Sequence, residues 1–316
     1  MLSYLIRTLF GYNIFMELKL IKKYYYFSFQ KRNIPNIIIY SLDNRTFQNG
    51  FADRLRGIVS AYAYAKLNNL QFKIDHKEPF CLEDFFEPNR VNWVLKESER
   101  TNNLLYSSPI VLLDYTKGTR LLHLSKKRQY HIYSNINALQ ILNVNYSSSL
   151  TYHGLFNELF KPSKFLLENI KPYEFYINKG FISISFRFIR LMGDFDDCCG
   201  YTLSDNKQQE LISTCHSFIR TIHERHNNIP YVLVTTDSKK FLDSVVNLDY
   251  VFVIPGKIGH IGYGPNYEAN VKTMLDFYMI SQAKKAYLGC SDGMYESSFA
   301  KSAAETTGIE FEKINF

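Results

Sequence analysis

The second half of the chain alternates strand-like and helix-like segments, and this order constrains the fold more than any other feature. Short apolar, β-branched runs predict strands at 181–188, 231–235, 250–254 and 286–288. Apolar residues spaced by three and four predict helices at 207–226, 238–246, 269–282 and 299–305. Such alternation is typical of parallel α/β sheets, which bind ligands at the carboxyl ends of their strands.

The first half shows the same alternation more weakly. A strand at 36–40, a helix from Phe51 and a strand at 71–75 form one strand-helix-strand unit, with further strands predicted at 110–114 and 130–133 and short helices at 155–160 and 163–170. Residues 171–180 lack helical period and end in Gly180, which indicates a linker. A chain of 316 residues has room for two domains. We expect α/β domains at 34–175 and 176–316, both doubly wound and Rossmann-type, facing one another across a cleft.

Charge separates a leader at 1–33 from the rest of the chain. The leader holds six basic residues and one acidic residue, a local charge of +5 that leaves +2 of the total +7 for the other residues. Nucleic-acid binding needs a basic face spread over a domain, so it is not expected. The leader is amphipathic and has no apolar run long enough to span a bilayer, which predicts a helix lying at a membrane surface. A helix packed on the protein body or a disordered start are the alternatives.

Cysteine usage indicates a reducing compartment. The five cysteines are an odd number without C-x-x-C spacing, so neither a disulfide framework nor a zinc site is expected. No secretory cleavage site follows the leader. We therefore expect a cytoplasmic protein, peripheral on the inner face of the membrane.

The loop between the first strand and the first helix is a candidate anion site. Gly50 precedes the helix, and Asp53, Arg54 and Arg56 lie in its first turn. Arginine there opposes the helix dipole at a cost of about 0.3–1 kcal/mol, which calls for an anion or an acidic partner. A surface turn whose arginines pair with Asp53 is the equally weighted alternative.

Arg187 is the candidate diphosphate ligand of the second half. Strand alternation places Ser183, Ser185 and Arg187 on one face, with the arginine near the carboxyl end. A guanidinium there suits a diphosphate, although pairing with a nearby aspartate is the alternative. Asp194-x-Asp196 could hold a metal, but the arginine in the same segment favours a metal-free site.

Several further residues follow predicted strands or begin predicted helices. The candidate ligand-binding residues are Thr236, Asp237, His260, Asp276, Ser297, Ser298 and Phe299. Each has a simpler alternative role: a helix cap for Thr236, Asp237 and the two serines, an ion pair with a lysine for Asp276, and an exposed side chain without a ligand for His260.

Three motifs in order resemble the fucosyltransferase superfamily of bacterial α1,2- and α1,6-fucosyltransferases and protein O-fucosyltransferases. The segment 50–53 resembles its glycine loop, Ser185-Phe186-Arg187 its arginine motif, and 275–283 with 297–299 its third region. The resemblance runs from about Asn36 to Thr307. Ser185 replaces the family histidine, Asp53 its asparagine, and the second arginine is displaced to Arg190.

The resemblance implies a GT-B-like fold and an inverting, metal-independent transfer of fucose from GDP-fucose to a glycan hydroxyl, with no cofactor besides the donor. The donor would bind in the second domain and the acceptor on the side of the first. By this likeness Arg187 would bind the diphosphate, Asp276 the nucleoside, and Ser297, Ser298 and Phe299 the phosphate-side pocket. We expect Asp194, or else Asp53, to take the hydroxyl proton.

Two other functions stay open. One is transfer from another nucleotide sugar, and the other is a non-catalytic relative that binds a glycan, which the Ser185 departure favours. A composition rich in Asn, Ile, Lys and Tyr suggests a bacterial enzyme of surface polysaccharide synthesis.

Overall fold

The computed structural model describes residues 2–30, 35–43, 45–46, 49–113, 118–125, 128–195, 200–259 and 266–316. It divides into two compact units, Met1–Pro162 and Ser163–Phe316.

The first unit is built on a four-stranded parallel sheet. Its elements are α1 Leu2–Tyr24, β1 Ile37–Leu42, α2 Phe51–Leu67, β2 Gln71–His76, β3 Phe86–Pro88, β4 Ser107–Leu112, β5 Gln129–Ser134, α3 Leu139–Tyr146, α4 Tyr152–Leu159 and β6 Phe160–Pro162. The sheet order is β2-β1-β5-β4, and β3 pairs with β6 in a small antiparallel ribbon. Every residue of β1 is buried, as its β-branched run predicts.

Helix α2 lies very close to the sheet at Gly57. A Cβ atom at this position would lie 2.1 Å from the Ser134 carbonyl oxygen at the end of β5. The glycine therefore permits the close packing that brings the first turn of α2 beside the strand ends.

The leader forms α1, whose backbone is non-helical at Gly11 (φ 82°). Leu20 is buried against Val111, Leu113 and Tyr133 of the sheet. The Glu17 carboxylate accepts a hydrogen bond from the Val111 amide at 2.8 Å. This part of α1 thus packs on the protein body, as one of the sequence-based alternatives expected. No helix of the described residues is long and apolar enough to cross a bilayer.

The second unit is built on a five-stranded parallel sheet in the order β11-β10-β7-β8-β9. Its elements are α5 Lys164–Ile170, α6 Glu174–Lys179, β7 Phe181–Phe186, α7 Asp205–Arg225, β8 Tyr231–Thr236, α8 Lys239–Val245, β9 Val251–Phe252, α9 Tyr267–Ser281, β10 Lys285–Cys290, α10 Phe299–Thr307 and β11 Glu310–Asn315. Its main core joins β7, α7, β8 and α8. The parallel α/β architecture expected from the alternation is confirmed in both units.

The predicted linker at 171–180 is wrong. Residues 171–173 form a 3₁₀ turn and 174–179 form α6. The Tyr176 ring stacks on Phe252 of β9 with centroids 3.9 Å apart, so a tertiary contact holds a helix that has no amphipathic period.

The division between the units also falls earlier than the predicted boundary at residue 175. Helix α5 packs against α9, which places residues from Ser163 onward in the second unit. The edge strand β11 was not predicted, because its alternating charged residues resemble an exposed segment.

Candidate functional site

Arg187 and Asp237 form an ion pair at the carboxyl edge of the second sheet. They directly follow the neighbouring strands β7 and β8, whose last residues pair as Phe186 and Thr236. Nη1 of Arg187 lies 3.2 Å from Oδ2 of Asp237, and the Asp237 side chain is buried. Burial raises the pKa of Asp237, while the Arg187 charge lowers it. The arginine was predicted at this edge, and its carboxylate partner comes from the adjacent strand.

Asp237 also holds the turn that follows β7. Its two carboxylate oxygens accept hydrogen bonds from the amides of Phe188 and Ile189, both at 2.8 Å. Ile189 has a φ of 51°, a left-handed conformation that a β-branched residue rarely adopts. Three interactions of one buried side chain therefore fix both the backbone of this turn and the guanidinium of Arg187.

Asp194, the first candidate for a catalytic base, is hydrogen-bonded to the start of α8. Its Oδ2 accepts from the Ser238 hydroxyl at 2.9 Å and from the Lys240 amide at 2.7 Å. Ser238 caps α8 by accepting from the Phe241 amide, and Thr236 accepts from the Ser238 amide. Asp194 thus reinforces a helix start, and the capping alternative is observed at Ser238, the N-cap of α8.

Asp276 is a buried carboxylate in α9 with one unpaired oxygen. Its Oδ2 accepts from the Nζ of Lys272 at 2.5 Å, one helical turn earlier, and the lysine side chain is 4% exposed. Its Oδ1 is buried without a hydrogen-bond partner. Burial raises the pKa of Asp276, while Lys272 lowers it. The predicted lysine pair is present, and Oδ1 can still accept a hydrogen bond from a ligand.

Ser297, Ser298 and Phe299 lie where the loop after β10 enters α10. The Phe299 amide donates to the Ser297 hydroxyl at 3.2 Å, and the Ser298 side chain makes no capping hydrogen bond. The Phe299 ring packs on Phe277, the neighbour of Asp276 in α9. In the same loop, the Tyr295 amide donates to the Arg187 carbonyl at 2.9 Å. This contact connects the loop to the end of β7.

Gly50, Asp53 and Arg54 belong to the first unit. Gly50 precedes α2 without a side-chain cap, and Asp53 forms an ion pair with Arg56, as the simpler alternative expected. Arg54 is buried, and its Nε donates to the Asn49 carbonyl at 3.0 Å.

Two sequence-based candidates, His260 and Asp196, lie outside the described residues. Among the residues that the structure describes, no three His, Cys, Asp or Glu side chains are grouped so that they could hold a metal ion.

Sequence reasoning missed two contacts of the site. The Arg187 guanidinium lies over the Phe195 ring, 4.8 Å from its centroid. Ser185, at the position of the family histidine, is buried and hydrogen-bonded through its hydroxyl to that of Thr235 at 2.7 Å. The lysine pair that was expected for Asp276 is with Lys272, four residues earlier on the same helix face.

Two parallel α/β sheets, with charged side chains following the strands of the second, agree with the GT-B-like class that the resemblance implied. Solved structures confirm this fold. The chain is similar to a substituted form of Arabidopsis thaliana FUT1 in complex with GDP, with a TM-score of 0.56 and 15% identity. The match covers 98% of this chain and 77% of that chain.

Bacterial proteins share the fold as well. The chain is similar to the α-1,6-fucosyltransferase NodZ soaked with GDP-fucose (TM-score 0.55, 14% identity) and to fucosyltransferase NodZ from Bradyrhizobium (TM-score 0.55, 17% identity). Each match covers 86% of this chain and 92% of the other. No protein-family model matches the sequence, and a search of curated proteins found no match. At these identities the likeness establishes the fold.

Proposed function

We propose that the protein is an inverting, metal-independent glycosyltransferase that transfers fucose from GDP-fucose to a glycan hydroxyl. The observation that carries the proposal is Arg187, held by Asp237 at the carboxyl edge of the second sheet. A guanidinium at this edge can bind a diphosphate through two parallel hydrogen bonds. One of the similar structures is a complex with GDP and another was soaked with GDP-fucose, which supports a guanine nucleotide as the donor.

Asp276 supports guanine rather than another base. A carboxylate oxygen only accepts hydrogen bonds, so the unpaired Oδ1 matches a ligand N–H donor such as those on the Watson–Crick edge of guanine. Uracil offers fewer donors to such a group. In this assignment Asp276 binds the nucleoside, and residues 297–299 line the phosphate side.

The proposed reaction breaks the bond between the anomeric carbon of fucose and the β-phosphate oxygen of GDP. Arg187 and the amides at the start of α10 stabilise the negative charge that develops on that oxygen. Electrostatic stabilisation of this kind is usually the largest contribution to catalysis. The acceptor hydroxyl attacks the opposite face of the sugar, forms the new glycosidic bond and loses its proton.

Asp194 remains the first candidate to take this proton, and Asp53 the second. Because Oδ2 of Asp194 accepts the two bonds at the start of α8, Oδ1 would take the proton. Asp53 is the second candidate because its carboxylate is already engaged by Arg56.

The first test is thermal unfolding with GDP, UDP, CDP and ADP. A ligand at 100 times its Kd stabilises a protein by about 2.7 kcal/mol, so a shift with GDP alone is expected. A larger shift with UDP or CDP would indicate another nucleotide sugar. No shift with any nucleotide would favour the non-catalytic, glycan-binding alternative.

Transfer assays test the role of Arg187. Arg187→Lys keeps a positive charge beside Asp237 but loses the bidentate fork, and we expect the transfer rate at saturating GDP-fucose to fall about 100-fold. Arg220→Lys is the control, because Arg220 is exposed on α7 and lies outside the arginine motif. An unchanged rate in Arg187→Lys would exclude the assignment.

We also propose a peripheral membrane contact next to α1. Phe27 and Phe29 are 58% and 83% exposed, and their rings touch edge to face just after Lys22 and Lys23. Aromatic rings beside lysines suit an anionic lipid surface. Substituting both phenylalanines by serine should reduce co-sedimentation with phosphatidylserine vesicles, whereas Tyr201→Ser, at an exposed tyrosine of the second unit, should not.

A further inference from the structure

Arg54 is a buried cation without an acidic partner in the described part of the chain. The residue is 4% exposed and lies in the first turn of α2, beside the carboxyl ends of β1 and β2. Its Nε donates to the Asn49 carbonyl, but its Nη1 is buried without a hydrogen-bond partner among the described residues. Burial lowers its pKa to about 10. A charge taken out of water without compensation is among the costliest features of a fold, so a function is expected to retain it.

The other arginines near the strand ends differ from Arg54. Arg187 pairs with Asp237, Arg100 with Asp75, and Arg56 with Asp53. Arg54 forms no ion pair with any described carboxylate, and an anion is the ligand that would compensate its charge.

His76 provides a second unpaired group in the same place. It ends β2, pairs in register with Leu42 at the end of β1, and is 4% exposed. Its Nδ1 lies 3.1 Å from the Phe80 carbonyl and therefore carries the proton, which leaves Nε2 as a bare acceptor. That Nε2 is buried and has no hydrogen-bond partner in the described ranges of the chain.

The surroundings keep His76 neutral. Burial and the nearby Arg54 charge lower its pKa to about 3. The His76 ring lies 4.8 Å from that of Phe80, which in turn packs on Phe51 of α2. An apolar setting with one unpaired donor and one unpaired acceptor suits a ligand that offers an oxyanion and a hydroxyl.

We propose that Arg54 and His76 bind an acidic sugar of the glycan acceptor, an inference that rests on the proposed glycosyltransferase function. The carboxylate of a uronic acid would accept a hydrogen bond from Nη1 of Arg54, and a neighbouring hydroxyl would donate to Nε2 of His76. A hydrogen phosphate group presents the same pair of groups, so the experiment must separate the two sources.

The test is binding of small probes to the full chain by calorimetry. Glucuronate should bind and raise the unfolding temperature, whereas glucose, which lacks the carboxylate, should not. Arg54→Met should raise the Kd for glucuronate at least about tenfold, the equivalent of 1.4 kcal/mol, and leave the Kd for GDP unchanged. Arg56→Met is the matched control, because Arg56 is on the same helix but already paired. If Arg54→Met does not fold, Arg54→Gln, which keeps an N–H donor without the charge, takes its place.

Three results would overturn the proposal. The first is glucuronate binding in Arg54→Met equal to that of the unsubstituted protein, and the second is equal binding of glucose. The third is binding of inorganic phosphate without binding of glucuronate, which would assign the two residues to a phosphate. Glucuronate binding without any response to GDP would instead reject the fucosyltransferase function and retain the acidic-sugar subsite.

Discussion

The two units differ in how one buried cation near the carboxyl edge of the sheet is compensated. In the second unit, Arg187 is paired with the buried Asp237, and Lys272 with Asp276. In the first unit, Arg54 has no described carboxylate partner and lies beside the neutral His76. A paired charge is compensated within the protein and stabilises local structure in the absence of a ligand. An unpaired buried charge lowers the stability of the ligand-free protein, and a ligand can compensate it.

The largest effect is expected where Asp237 is removed. Asp237→Ala leaves Arg187 and the amides of Phe188 and Ile189 without their partner, and breaking a buried pair in this way costs about 3–5 kcal/mol. Urea unfolding measures the loss. The control is Asp243→Ala, because the exposed Lys239–Asp243 pair contributes only about 0–1 kcal/mol. Equal losses in both variants would mean that Asp237 does not hold the turn.

The same substitution at the two arginines should change the free energy of unfolding in opposite directions. Arg187→Met leaves the buried Asp237 unpaired and should lower the free energy of unfolding. Arg54→Met removes a buried charge that no described carboxylate compensates and should raise it in the ligand-free protein. Denaturant unfolding of both variants measures this difference. If Arg54→Met is destabilised, the contrast between the two units is wrong.

Acid should lower the stability of the first unit because of its buried histidines. Burial lowers the pKa of His76 to about 3 and that of His131 well below 6.5, so both stay neutral when folded and ionise when unfolded. Their contribution is complete above pH 6.5 and is lost as the pH falls, by about 2 kcal/mol for His76 at pH 5. The raised pKa values of Asp237 and Asp276 act in the opposite direction in the second unit.

Native-state hydrogen exchange can resolve this contrast. Amides of β2 and β5 should lose protection between pH 7 and pH 5 more than those of β7 and β8, after correction for intrinsic exchange. His216 and His226 of the second unit also have lowered pKa values, but they are only partly buried and should add less. Equal loss in both sheets would contradict the prediction.

The smallest effects are expected at helix caps, where the two units should behave alike. Thr151 caps α4 in the first unit and Ser163 caps α5 in the second, each accepting from a backbone amide at 3.1 Å. Alanine at either position should cost about 1 kcal/mol in thermal or urea unfolding. A much larger loss at Ser163 would show that this buried residue supports more than its own helix.

Local patterns allowed correct prediction of the sheets but not of α6. Apolar β-branched runs and helical spacing are properties of neighbouring residues, so most strands of the two parallel sheets and the position of Arg187 at the carboxyl end of β7 followed directly, whereas the charged edge strand β11 did not. Residues 174–179 have no such pattern and are helical because Tyr176 packs on Phe252. Contacts with distant residues are not visible in a local window.

The sequence by itself determined the parallel α/β class and the residues that follow each strand, because hydrophobic periodicity and chain order are properties of the sequence alone. Only the tertiary structure decided which of these side chains are paired. Asp237 pairs with Arg187 and holds the turn after β7, and Asp194 accepts hydrogen bonds at the start of a helix. Arg54 lacks an acidic partner among the described residues. Pairing depends on which strand ends become neighbours, and sheet order joins segments far apart in the chain.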